Sequence, residues 1–163
     1  MSDHSRILAF IAQCDDAEKL RTLIKNARDR GGTEVADAAF RKLVSLVPSE
    51  RPGTVEHDFW QMVNAFEHTL TEERGKTTRL TRTRQKVERV GVVQTLRDWA
   101  ISERETDGFQ MLLDRGMAEL TGEAIVLRHA GRFEPEVVVA AERRLIDAGV
   151  AVSNLPREGN QIR

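Results

Sequence analysis

Seven basic side chains fall within one sixteen-residue stretch: Arg74, Lys76, Arg79, Arg82, Arg84, Lys86 and Arg89, with Glu88 as the single acid among them. The flanks are acidic. Residues 1–73 carry nine basic and thirteen acidic side chains, and residues 90–163 carry nine and twelve. The chain as a whole has a net charge of −1, so its positive charge is concentrated in one segment. Arginine dominates the segment, and a planar guanidinium suits bidentate contact with phosphate or with base edges. Thr77, Thr78, Thr81 and Thr83 are interleaved and offer hydroxyl donors to phosphate oxygens. A polyanion is therefore the expected partner, DNA before RNA, and the expected role is that of a non-catalytic accessory protein. The same arginines support a second expectation. They could meet acidic flanks such as Glu72 and Glu73, or form the seam of a homodimer or a protein–protein adaptor.

Enzymatic chemistry finds less to work with. Gly75-Lys76-Thr77 copies the end of a phosphate-binding loop, but Leu70 stands where that loop needs its first glycine, and no strand precedes it. His57, Gln61, Asn64 and His68 share a polar stripe, yet the two histidines lie about 16 Å apart along a helix and cannot ligate one ion by themselves. That stripe reads as solvated or groove-facing. Asp114, Glu119 and Glu123 with Arg128 suggest a metal-dependent nuclease, the outside alternative, but the Glu-x-Lys of such sites is missing after Glu123. His129, beside Arg128, reads as a capping or surface histidine. Cys14 is the single cysteine and falls on the apolar side of its helix, as a structural thiol would. No catalytic residue, metal or cofactor is assigned.

The elements that must carry these residues are helices. Apolar residues recur at helical spacing almost throughout, with no tyrosine and only four prolines. This predicts an all-α fold: a multi-helix orthogonal or bundle-like domain with αα-hairpins. Residues 1–48 form an N-terminal helical hairpin, with Asp15 or Asp16 and then Thr33 as caps and Gly31-Gly32 as its turn. Residues 54–104 hold a long helix from Thr54 to Arg74 and then the basic helical segment. The face Phe59, Met62, Val63, Phe66 and Leu70 is expected in the core, as is Trp99. Arg79, Arg82 and Arg84 are expected to point away from Leu80, Val87 and Val90. Gly91 separates two helices in the order of a helix-turn-helix, but Lys86 and Arg97 occupy positions where that motif takes apolar residues. Residues 105–152 hold the C-terminal helices, capped by Thr106 and Thr121 and started by Pro135. Ala124–Arg128 also fits a buried strand, and helix is the reading taken. Residues 153–163 read as a flexible tail on one compact domain. No apolar run approaches the roughly 20 residues of a membrane span, no secretion signal is apparent, and the lone cysteine fits a reducing cytoplasm.

Residues 34–44 resemble residues 136–146. Glu, Val, two alanines, Arg and Leu recur in register, and each segment follows another candidate helix after a short turn. A duplicated helical hairpin and the convergence of two Ala-rich amphipathic helices both account for this.

Overall fold

The computed structural model describes residues 2–157, and these contain nine α-helices, three short 3-10 turns and no strand. The chain divides into two compact units, residues 1–49 and residues 50–163.

The first unit consists of α1 (Asp3–Gln13), α2 (Ala17–Asp29) and α3 (Thr33–Leu46). α1 starts four residues before its first apolar position because the Ser2 hydroxyl accepts the Ser5 N–H. Of the two candidate acids it is Asp16 that caps α2, accepting the N–H groups of Glu18 and Lys19. Thr33 is not the cap of α3. The turn is too tight for it: Gly31 sits at φ 72°, Gly32 takes the N-cap position and donates to Ala27 O at 2.7 Å, and Thr33 becomes the first helical residue. α3 packs against α2 and α1 and buries Ala36, Ala39, Phe40, Leu43 and Val44. Cys14 is buried, its thiol 3.6 Å from the Asp16 carbonyl.

The second unit is built on α4 (Val55–Arg74), whose first turn is capped by the Thr54 hydroxyl. Phe59, Met62, Val63 and Leu70 are buried as their spacing predicts, while Phe66 is half-buried. The helix is also covered on its polar sides, since His57, Asp58, Glu67 and Thr69 are buried. The stripe that includes His57 is therefore not simply solvated. α5 (Thr81–Val90) and α6 (Val92–Ile101) follow, separated at Gly91, whose φ of 86° breaks the helix. α7 (Asp107–Asp114), α8 (Gly122–Arg128) and α9 (Pro135–Asp147) complete the unit. Residues 124–128 are thus helical. α8 is short and packs against α4, α6 and α9, so Glu123 to Leu127 are all buried, and that all-round burial is why its letters also fit a strand.

The two similar segments lie in α3 and α9. Ala39 and Ala141, Leu43 and Leu145 occupy matching positions and are all buried. The flanks differ: Phe40 and Val44 are buried, whereas Glu142 binds Arg157 and Ile146 is exposed. The connections differ too, because α8 reaches α9 through a 3-10 turn at Ala130–Arg132 rather than a diglycine. Beyond α9, Val152–Asn154 forms a 3-10 turn, and Arg157 donates to Glu142 at 3.0 Å. The rest of the expected flexible tail, residues 158–163, lies outside the described residues.

Candidate functional site

The basic segment begins where α4 ends. Gly75 adopts the left-handed conformation, φ 69°, and its N–H caps the Thr71 carbonyl. The loop that follows is tied back to α4 by side chains of α4 itself. The Thr78 N–H donates to Thr71 Oγ1 and the Leu80 N–H to Glu67 Oε1, both at 3.0 Å. Helix α5 then brings Arg84 onto the same carboxylate, with Nε and Nη2 each 2.8 Å from a Glu67 oxygen. The guanidinium also lies 5.2 Å from the centroid of the Trp60 ring, in cation–π range. Burial works against the Glu67 carboxylate, but the Arg84 and Leu80 hydrogen bonds outweigh it and lower its pKa; the same pair raises that of Arg84.

The seven basic residues therefore fall into two groups. Arg84 is bound to Glu67, and Lys86 pairs with Asp98 at 2.8 Å. The outward direction expected for Arg84 is corrected: a carboxylate that is only 9% exposed requires a counter-charge, and Arg84 supplies it. Arg74, Lys76, Arg82 and Arg89 are exposed and have no ion-pair partner among the described residues, and exposed Arg79 adds its charge to Glu67 without a direct contact. α5 buries none of its side chains, and Val90, expected on its apolar face, is 38% exposed.

A cavity of about 570 Å³ opens beside this segment. Its floor is the buried part of its lining, including Met62, Leu70, Phe109 and Leu112. Half-buried Phe66, Trp99 and Met111 form the wall. Trp99, expected in the core, stacks on Phe59 with ring centroids 5.8 Å apart. Gly108 lets α7 approach the wall, since a Cβ there would stand 3.2 Å from the Phe66 ring. Exposed Arg74, Arg79, Glu73 and Asp107 form the rim. Arg115 lies 3.7 Å from Glu73, so the rim presents two guanidiniums without a direct ion pair and one carboxylate without one, Asp107.

Two further charged clusters hold helices together. Asp58 Oδ2 receives His129 Nε2 at 2.7 Å and Arg128 Nη1 at 2.9 Å, and His57 Nδ1 stands 3.4 Å from Oδ1. Burial alone would raise the Asp58 pKa; the His129 hydrogen bond and the Arg128 charge reverse this and hold it at about 2. His129 is thus a buried partner of Asp58 and not a surface residue. Arg144 donates to the carbonyl oxygens of Trp99 and Ser102 and to Glu123 Oε1. Burial pushes the Glu123 carboxyl up, against the pull of Arg144. Of the residues grouped as a nuclease set, Glu123 pairs with Arg144 and Asp114 accepts from Gln110, while Arg128 donates to Asp58 and to the Glu119 carbonyl. Among the described residues no three His, Cys, Asp or Glu side chains are arranged to hold a metal ion, and no helix is long and apolar enough to cross a membrane.

Sequence reasoning missed Trp60, Glu67 and Asp58. A usable signal existed for the first two: Trp60 and Glu67 lie seven residues apart on α4, hence on one face, within reach of a basic segment that needs acids. No protein-family model, curated protein or solved structure matches this chain.

Proposed function

We propose that the protein binds nucleic acid through the exposed cations of residues 74–89, as a non-catalytic accessory factor. The observation that carries this reading is the division of labour within the segment. Five cations, Arg74, Lys76, Arg79, Arg82 and Arg89, are exposed and make no direct ion pair although the chain has an excess of acids elsewhere. Arg84 and Lys86, by contrast, are bound to the protein's own carboxylates. The anchoring of the loop on Glu67 and Thr71 fixes where the cations are presented, which lowers the ordering cost of gripping a phosphate backbone. Binding of this kind falls steeply with salt, because each contacted phosphate releases condensed counterions. Titration of labelled duplex DNA, single-stranded DNA and RNA across a salt series tests it. Affinity that falls linearly in log–log form supports the proposal, and no binding at low salt refutes it.

A further inference from the structure

We infer that the cavity beside the basic segment takes one unstacked nucleotide of a single strand, with its base against the aromatic wall and its adjacent phosphates on Arg74 and Arg79. The inference rests on the nucleic-acid reading and narrows it to strands with free bases. The cavity's volume of about 570 Å³ lies within the range of small-molecule sites, which a base with its sugar can occupy. Phe66, Trp99 and Met111 offer flat or polarisable surfaces of the kind on which bases stack without sequence preference.

The rim decides between ligands. A purely aliphatic acid would satisfy Arg74 and Arg79 but would set its hydrocarbon beside the unpaired Asp107 carboxylate. Adenine, guanine and cytosine carry amino donors for that carboxylate and the strand's backbone carries phosphates for the guanidiniums, so one such nucleotide satisfies both signs of charge. A paired, stacked base cannot reach the floor without leaving its helix. Arg74 and Arg79 belong both to this rim and to the segment holding Lys76, Arg82 and Arg89, so the strand that fills the cavity meets the remaining cations outside it.

The test compares a short oligodeoxyadenylate with an abasic strand of the same number of phosphates, by fluorescence anisotropy on the full chain at low salt. The strand with bases is expected to bind about ten-fold tighter, with a parallel salt dependence. Phe66→Ala, which removes an aromatic ring from the wall, should bring the two affinities together and leave the salt slope unchanged. Equal affinity of the two strands for the native protein would overturn the inference while leaving phosphate binding intact. Failure of both strands to bind would remove the nucleic-acid reading as well. A measurement without a variant guards against misfolding of Phe66→Ala: adenosine monophosphate should displace the bound strand at a concentration about ten-fold lower than ribose 5-phosphate does. Equal displacement by the two contradicts the inference.

Discussion

Arg82 and Arg84 are two residues apart in a single helix, and their surroundings give them opposite work. Arg82 faces solvent; Arg84 closes a bidentate pair with Glu67 over the Trp60 ring. Composition and spacing make the density of positive charge legible, but not which arginine takes Glu67, because Glu67 lies seventeen residues from Arg84 on a different helix. The pair predicts an asymmetry in stability. Glu67→Ala strands the Arg84 guanidinium and the Leu80 N–H and should cost about 3 kcal/mol by urea denaturation. Arg82→Ala should stay within about 0.5 kcal/mol of the native protein. Equal effects would mean that the Glu67 pair contributes nothing particular. Asp58 gives a second residue-scale prediction. Its pKa of about 2 lies below the ordinary 3.8, so its stabilisation is fully present above about pH 4 and is lost as pH falls toward 2. The drop amounts to about 2 kcal/mol. Denaturation curves between roughly pH 5 and pH 2, the window of that titration, should show a shallower loss for Asp58→Asn than for the native chain. Parallel curves would contradict the role given to His129 and Arg128.

At the scale of elements, the sequence discloses helices and many of their starts. Thr106 and Thr121 each cap the helix expected of them, because a cap depends on neighbours two and three residues away. What remains hidden is which sides of a helix are covered. The apolar face of α4 is visible as a pattern, but the burial of His57, Asp58 and Glu67 depends on partners on α5 and α8 and near its end. Phe66 shows the converse: its spacing says core, and the neighbouring cavity leaves it half-buried. Arg144 is the long-range clamp of α9 on α6, donating to the Trp99 and Ser102 carbonyls and to Glu123. A lysine keeps the charge but cannot reproduce three bonds from one planar fork. Arg144→Lys should therefore destabilise by about 1–3 kcal/mol and speed hydrogen exchange at the C-terminal end of α6. Unchanged exchange there would show that apolar packing alone holds the two helices.

On the scale of the whole molecule, residues 50–163 contain the cavity, the basic segment and a core of their own, running from Phe59 to Leu145. That fragment is expected to keep its helical circular dichroism and a cooperative melt, and a non-cooperative melt would mean that it depends on residues 1–49. The central claim concerns which cations meet a polyanion. It is tested most directly by the salt dependence of duplex DNA affinity for the native chain beside a variant with Arg79, Arg82 and Arg89 changed to alanine. Arg84 is left in place because it serves Glu67. The variant should fold normally, bind more weakly on every sequence, and show a log–log salt slope about 2–3 units shallower. A variant with the native slope and affinity would contradict the account.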